Sequence, residues 1–180
     1  MSEFVPFPKI KRLTLGVTVT EKIDGTNAAV HVNDDGTFHA QSRNRIITPD
    51  DDNFGFATWV HAHADEIVPA LGPGTHFGEW YGLGIQRRYG MDHRRFALFN
   101  VGRWADVELP SVLDLVPVLY VGQFDTAALD EVREGLLARG SRTPGATPGW
   151  PAEGLMLYLP SAGAYVKDPF DKAHKGEVAA

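Results

Sequence analysis

The sequence predicts an α+β fold with antiparallel sheets, because strand patterns are clustered along the chain and few helical patterns lie between them. Residues 13–20 alternate with β-branched positions, and residues 28–32 and 37–41 are two further short candidate strands. Asn33-Asp34-Asp35-Gly36 joins the last two, and this composition is a strong hairpin turn. The front third of the chain is therefore predicted to be antiparallel sheet.

The first helical pattern lies between residues 52 and 71. Bulky side chains recur there at three- and four-residue spacing, which is typical of an amphipathic helix. The run Gly72-Pro73-Gly74 then predicts the end of this helix. The recurring side chains are Phe56, Trp59, Val60, His63 and Ile67.

Five further strands are predicted in the rest of the chain. Each is short, apolar or alternating, and bounded by Gly, Pro or Asp. They cover residues 75–81, 96–101, 116–121, 154–159 and 164–167.

A second helix is predicted between an N-capping Asp125 and a terminating Gly140. It is followed by residues 141–152, which contain three prolines and two glycines. This composition is typical of a loop and not of the interior of a helix or strand.

The composition limits the classes of protein that the chain can be. A length of 180 residues with 43% hydrophobic residues predicts one folded core. The chain contains no cysteine, which excludes disulfides, thiolate zinc sites and a cysteine nucleophile. No apolar run approaches the ~20 residues of a membrane helix, so we expect a cytoplasmic protein without a membrane partner. A monomer is the default expectation.

The net charge of -6 gives no overall attraction for nucleic acid, so any polyanion binding requires a local basic patch. The densest basic cluster consists of Arg87, Arg88, Arg94 and Arg95, which could grip a phosphate backbone. A solvated loop is an equally open interpretation of this cluster.

The stretch with the most chemistry is residues 21–27, Glu-Lys-Ile-Asp-Gly-Thr-Asn, which lies between two predicted strands. A turn there would expose Lys22, and a lysine can act as a nucleophile once its ammonium loses a proton. Gly25 would allow the backbone to approach a phosphate closely. Taken alone, the stretch is more often a surface turn with a solvated lysine.

Residues 21–27 resemble motif I of the covalent nucleotidyltransferases, the superfamily of ATP-dependent DNA ligases, RNA ligases and mRNA capping enzymes. The form of the motif looks most like the RNA ligase branch. Segments similar to the family's other motifs follow in the family's order, and the resemblance spans about residues 9–175. It implies a ligase-type adenylation domain with a nucleotide cleft, in which Lys22 attacks the α-phosphate of ATP and becomes AMP-linked.

The resemblance also implies which residues contact the nucleotide. Residues 41–45 resemble a motif whose arginine contacts the nucleotide or an RNA phosphate, residues 77–82 one whose glutamate binds the ribose, and residues 95–101 one whose aromatic ring stacks on adenine. The implied nucleotide-binding residues are Glu21, Asp24, Gly25, Asn27, Arg43, Glu79, Phe99 and Lys167.

Two later segments supply the rest of the implied catalytic set. Residues 153–156 resemble the motif whose glutamate, here Glu153, helps to hold Mg²⁺ or Mn²⁺ and the reactive lysine. Residues 164–167 resemble the motif whose lysine, here Lys167, neutralises the α-phosphate. The chain departs from the family at Tyr165, where a first lysine is usual, and at Asn100, where an aspartate is frequent.

The function implied is ATP-dependent polynucleotide ligation, with RNA favoured over DNA. AMP would pass from Lys22 to a 5′-phosphate, and a 3′-hydroxyl would then seal the strand. We expect residues 1–180 to be a single nucleotidyltransferase domain without an appended C-terminal OB-fold or helical domain, so an accessory protein could assist sealing. The alternatives are a DNA ligase, a capping-type transferase, or a nucleotide- or nucleic-acid-binding protein that keeps the fold and has lost sealing.

Overall fold

The computed structural model describes residues 15–170. The first two residues of the strand predicted at 13–20, and both ends of the predicted domain and of the resemblance, lie outside these residues. The strands are β1 (Gly16–Lys22), β2 (Thr26–Val32), β3 (Phe38–Ser42), β4 (Ile46–Ile47), β5 (Gly74–Gly82), β6 (Arg94–Leu98), β7 (Leu113–Leu115), β8 (Val118–Gln123), β9 (Gly154–Leu159) and β10 (Ala164–Pro169). The helices are α1 (Phe56–Ala62), α2 (Ala64–Leu71), α3 (Val101–Trp104) and α4 (Thr126–Arg139).

The first sheet has the strand order β10-β9-β1-β8, and each pair is antiparallel. Side chains of β1 alternate between buried and half-buried, which is the pattern of a sheet with one covered face. Val17, Val19 and Leu155 on the covered face form a core cluster with Leu136 of α4. Helix α4 therefore covers one face of this sheet, and Lys22 belongs to the opposite set of β1 side chains.

The second sheet has the strand order β4-β3-β2-β5-β6-β7. Its pairs are antiparallel except for β6 and β7, which run parallel. Val30, Trp80 and Phe96 project from one face and pack against Phe56 of α1 and Ile67 of α2. Asn27 and Glu79, which are register partners on β2 and β5, project from the opposite face.

A smaller core cluster joins the two sheets. Ile23, which directly follows β1, packs there with Tyr81, Tyr89 and Ala97. The Asp24 N–H also donates a hydrogen bond of 2.7 Å to the Tyr89 hydroxyl. The residues directly after Lys22 are thus fixed against the second sheet.

The structure confirms the predicted α+β class with antiparallel sheets. The second predicted helix is also correct, because Asp125 caps α4 by accepting a hydrogen bond of 2.9 Å from the Ala127 N–H, and Gly140 ends it. Among the helices of residues 15–170, none is long and apolar enough to cross a bilayer.

Four local predictions differ from the structure. The helix predicted over 52–71 is two helices, because His63 leaves the helical conformation at φ -112° and ψ 14°. The strand predicted at 96–101 ends at Leu98, since Asn100 caps the short helix α3. The strand predicted at 116–121 starts two residues later, as β8, and the short strand β7, which ends before Pro117, was not predicted. The strand predicted to end at residue 20 continues to Lys22.

Candidate active site

Lys22 and Glu153 form the centre of the candidate site. Lys22 is the last residue of β1 and pairs in register with Gly154, the first residue of β9, so that Glu153 lies beside it. The Lys22 Nζ donates a hydrogen bond to the Glu153 Oε1, and the two side chains form an ion pair. The Lys22 side chain is 26% exposed and the Glu153 side chain is 17% exposed, so the pair is partly buried but accessible to a ligand. The turn predicted within residues 21–27 lies at residues 23–25, directly after Lys22, and the position of Lys22 at the end of β1 fixes the direction of its side chain.

Lys167 lies on the same face of the first sheet as Lys22. Thr20, Met156 and Lys167 are register partners on β1, β9 and β10. Thr20 is two residues from Lys22, and side chains two residues apart on a strand share a face. Lys167 is exposed, and it makes no ion pair with any residue of the described chain. It is available to bind an anion on the face of the sheet that carries Lys22.

Glu79 is a buried carboxylate that is held by backbone and side-chain donors. Its Oε1 accepts a hydrogen bond of 3.1 Å from the Gly25 N–H, and its Oε2 accepts one of 3.1 Å from the Asn27 Nδ2. The Arg43 Nε in turn donates to the Asn27 Oδ1 at 3.0 Å. Burial raises the pKa of Glu79 to about 7, an effect that the positive charge of Lys22 partly opposes. Four predicted nucleotide-binding residues thus form one connected network.

Gly25 packs closely against strand β5, a role that was not predicted for it. A side-chain carbon at this position would lie 2.5 Å from the Trp80 carbonyl oxygen and 2.9 Å from the Glu79 Cγ. The close approach that requires glycine is therefore made to strand β5 within the protein. Packing of β5 against this turn brings Glu79 next to the nucleophile strand.

Asp24, in the turn that follows Lys22, forms an ion pair with Arg87 of the loop between β5 and β6. The Arg87 Nε lies 3.3 Å from the Asp24 Oδ2 and forms an ion pair with it. Arg87 is thereby brought to the site, although sequence analysis placed it in a nucleic-acid-binding cluster.

The Glu21 side chain points away from the Lys22 Nζ, because adjacent residues of a strand face opposite ways. Glu21 is only 1% exposed. Its Oε2 accepts a hydrogen bond of 2.7 Å from the Arg142 N–H, and its Oε1 accepts from the hydroxyls of Ser141 and Thr143. Burial raises the pKa of Glu21 and these hydrogen bonds partly oppose the rise. In this structure Glu21 anchors the loop that leads to Glu153, in place of the nucleotide contact predicted for it.

Two phenylalanines lie next to each other on the Glu79 face of the second sheet. The Phe99 N–H donates to the Phe77 carbonyl oxygen at 3.0 Å and so extends the pairing of β5 with the chain after β6. Phe99, the predicted adenine-stacking residue, is half-buried against the cluster that joins the sheets. Phe77 is 57% exposed. Phe77 was not among the predicted nucleotide-binding residues, although its position two residues before Glu79 on a strand indicates a shared face.

The predicted basic cluster is not a free patch. The Arg95 Nε and Nη2 donate to the two carboxylate oxygens of Asp114 at 2.5 and 2.8 Å. Arg94 donates to the carbonyl oxygens of Leu83 and Phe54 at 2.8 and 3.0 Å. Arg88 is exposed and has a left-handed backbone, with φ 59°. Of the four arginines, Arg94 and Arg95 are thus engaged in internal contacts.

The carboxylates of the site are suited to a divalent cation. The Glu153 Oε2 is buried and has no hydrogen-bond partner among the described residues. A carboxylate oxygen is a preferred ligand of Mg²⁺ and Mn²⁺. No cluster of three or more His, Cys, Asp or Glu side chains suited to a metal occurs in residues 15–170. An ion at Glu153 would therefore take most of its ligands from phosphates and water, as Mg²⁺ does in nucleotide sites.

A family model described as RNA ligase matches residues 16–169 of the chain. Among solved structures, a lysine-to-alanine variant of Naegleria gruberi RNA ligase with ATP and Mn matches with a TM-score of 0.60 and 19% identity. That match covers 86% of this chain and 50% of that one. An archaeal ATP-dependent RNA ligase matches with a TM-score of 0.55 and 17% identity, over 91% of this chain and 48% of that one.

At these identities the solved structures establish a shared fold, and this chain spans about half the length of the ligases it matches. A lysine-to-methionine variant of the Naegleria gruberi RNA ligase with AMP and Mn gives the same TM-score of 0.60. No curated protein matches the chain.

Proposed function

Because this chain belongs to the RNA ligase family, we propose that it is an ATP-dependent polynucleotide ligase that acts through a lysyl-AMP intermediate on Lys22. The observation that carries the proposal is the pairing of the Lys22 Nζ with the Glu153 Oε1. The amine at the end of β1 is thereby held against a carboxylate, and Lys167, which has no ion-pair partner among residues 15–170, lies on the same face of the sheet. These are a nucleophile, a group that orients it, and a cation for the phosphate.

In the first step, the Lys22 ammonium gives up a proton to solvent and the resulting amine attacks the α-phosphorus of ATP. The N–P bond forms while the bond from the α-phosphorus to the bridging oxygen breaks, pyrophosphate leaves, and the nitrogen releases a second proton to solvent. Lys167 neutralises negative charge on the α-phosphate, which is the dominant requirement in phosphoryl transfer. A divalent ion bound by Glu153 would add positive charge at the phosphates.

The nucleoside would be held by the network around Glu79. An ionised carboxylate accepts hydrogen bonds from both ribose hydroxyls. Arg43 and Asn27 contribute donors beside it, and the rings of Phe77 and Phe99 offer flat surfaces to the base. The matched Naegleria gruberi ligase structures contain ATP or AMP with Mn, which agrees with ATP and a divalent metal as the requirements of this site.

In the later steps, AMP would pass to the 5′-phosphate of a strand, and the 3′-hydroxyl of another would attack that phosphate and expel AMP. RNA is the proposed acceptor because the chain belongs to the RNA ligase family. Sealing would draw on further protein surface, from an accessory protein or another part of a longer chain, because the chain covers about half of each matched ligase.

The experiment that tests this proposal is incubation of the purified protein with Mg²⁺ or Mn²⁺ and α-labelled ATP, followed by a denaturing gel and peptide mass mapping. We expect an acid-labile AMP adduct on Lys22. The control variant is Lys22→Arg, which keeps the positive charge opposite Glu153 but replaces the amine with a guanidinium that stays protonated. An adduct on another residue, or none with either metal, would contradict the proposal and favour a nucleotide-binding protein of the same fold.

A further inference from the structure

We propose that the Lys22 face of the first sheet, meaning the face opposite α4, binds an unpaired base of a polynucleotide strand by stacking it on Tyr165. This inference rests on the proposed function, since it places a strand of the substrate beside the candidate nucleophile. It names a contact and a substrate class: a strand with at least one unpaired base near the reacting end.

The register of the first sheet brings Tyr165 onto the same face as Lys22. Three rows of paired residues cross β1, β9 and β10 on this face. They are Lys22, Gly154 and Pro169, then Thr20, Met156 and Lys167, then Thr18, Tyr158 and Tyr165. Tyr165 is therefore in the second row beyond the nucleophile and two residues from Lys167, a separation of about 7 Å along the strand.

The ring of Tyr158 contacts the ring of Tyr165 and holds it in position for stacking. Its ring lies 4.7 Å from the ring of Tyr158, with an angle of 32° between their planes. Tyr165 is nevertheless 63% exposed, whereas Tyr158 is half-buried. An exposed aromatic ring that is held by a second ring loses little conformational freedom when a base stacks on it. The two tyrosines do not belong to the hydrophobic core of this sheet, because that core lies on the opposite face, under α4, and β10 is an edge strand.

The charges near Tyr165 favour a phosphate-bearing ligand. Lys167 is exposed on the same face and, within the described residues, forms no ion pair. The adjacent Asp168 faces the other way and is neutralised by Arg133 of α4. The combination of a free cation with exposed aromatic rings is how proteins bind single-stranded nucleic acid, since phosphates meet the cation and bases meet the rings. An apolar protein segment would use Tyr165 but would gain nothing from Lys167.

The test is fluorescence anisotropy with a short labelled RNA that carries a 5′-phosphate, with a DNA of the same sequence and with the blunt RNA duplex. The variants are Tyr165→Ala, Tyr165→Phe and the matched control Val166→Ala. Val166 is 49% exposed on the same strand but projects from the opposite face. We expect Tyr165→Ala to weaken single-strand binding by about 5- to 150-fold, the usual range for loss of one stacked base. Tyr165→Phe and Val166→Ala should stay within about twofold of wild type, since both keep the Tyr165 ring or an equivalent one.

Three outcomes would overturn the inference. Unchanged binding by Tyr165→Ala would leave this face to a protein partner. An equal loss with Tyr165→Phe would mean that the hydroxyl, and not the ring, makes the contact. An equal loss of duplex binding would exclude an unpaired base. Since the assay requires no AMP adduct, a protein that forms no adduct but binds RNA through Tyr165 would refute only the proposed function. If Tyr165→Ala weakens the binding of RNA and of DNA by the same factor, as base stacking predicts, then any preference for RNA comes from contacts other than Tyr165.

Discussion

Lys22 and Glu153 are separated by 131 residues in sequence, yet the Lys22 Nζ donates a hydrogen bond to the Glu153 Oε1. The pairing of Lys22 with Gly154 across β1 and β9 fixes this contact, because Glu153 directly precedes its strand. The carboxylate can both orient the amine and carry a metal on its second, unpartnered oxygen. A substitution that removes the charge of Glu153 but keeps its size therefore tests these two roles without changing the packing.

Glu153→Gln should slow formation of the Lys22 adduct by about 100-fold or more, because an amide neither pairs with the ammonium nor binds a divalent ion well. The measurement is the initial rate of adduct formation from α-labelled ATP. Glu131→Gln, at an exposed position on α4, is the matched control. A near-normal rate in the Glu153 variant would show that this carboxylate is dispensable.

The stability of the protein should depend on pH through Glu79. Burial raises the pKa of Glu79 from its ordinary 4.5 to about 7, so the folded state binds this proton more tightly than the unfolded state. The resulting stabilisation is fully present below about pH 4.5 and is lost as pH rises through about 7. The Glu79→Gln side chain stays neutral at every pH. Its melting temperature should therefore rise relative to that of wild type as pH increases from about 4.5 to about 7.

The comparison with wild type isolates Glu79. Burial also raises the pKa of Glu21 and of Glu153, but both groups are present in the two proteins. Thermal melts at matched pH values give the difference directly. A difference in melting temperature that stays constant across the window would contradict the assignment.

Gly25→Ala should destabilise the protein by about 1–3 kcal/mol, the usual effect of forcing an extra carbon into a packed site. The new carbon would lie 2.5 Å from the backbone of β5, and neither β5 nor the turn at Gly25 can move away without loss of the hydrogen bond that the Gly25 N–H donates to Glu79. Urea denaturation measures the change. Gly16→Ala is the control, since its nearest neighbour would lie 3.9 Å away, and equal effects of the two variants would refute the steric explanation.

Arg95→Ala should lower stability by about 2 kcal/mol, because it leaves a largely buried carboxylate without its cation. Asp114 is 10% exposed and also accepts a hydrogen bond of 3.0 Å from the Tyr81 hydroxyl. Arg88→Ala, at an exposed position, should leave the unfolding curve within about 0.5 kcal/mol of wild type. Denaturant titration of the two variants distinguishes them. If Arg88→Ala proved the more destabilising, the internal role of Arg95 would be wrong.

Local signals in the sequence were sufficient for several elements. Helix α4 was predictable because Asp125 and Gly140 mark its ends, and the β2–β3 hairpin because its turn residues are specific. The break between α1 and α2 at His63 was not predictable, because the apolar side chains keep their helical spacing through both helices. The division into β7 and β8 depends on a parallel pairing with β6, which no local pattern reveals.

Motif resemblance was sufficient to identify several residues that the structure brings together at the candidate site, whereas it did not give the orientation of their side chains. The predicted strand ended at residue 20, so strand alternation was not applied to Glu21, whose side chain is directed toward Ser141. The arginine cluster looked available because Asp114, the partner of Arg95, lies 19 residues further along the chain. Contacts between distant segments decide these cases, and a single sequence does not display them.

The strand that carries Lys22 lies between β8 and β9, so both of its neighbours are synthesised long after it. On the ribosome, a chain elongates over many seconds, and an early strand waits for late partners before it can pair. The amine of Lys22 therefore stays without its carboxylate partner until residue 153 has emerged. The order of synthesis therefore delays assembly of the Lys22–Glu153 pair until the start of β9 has been made.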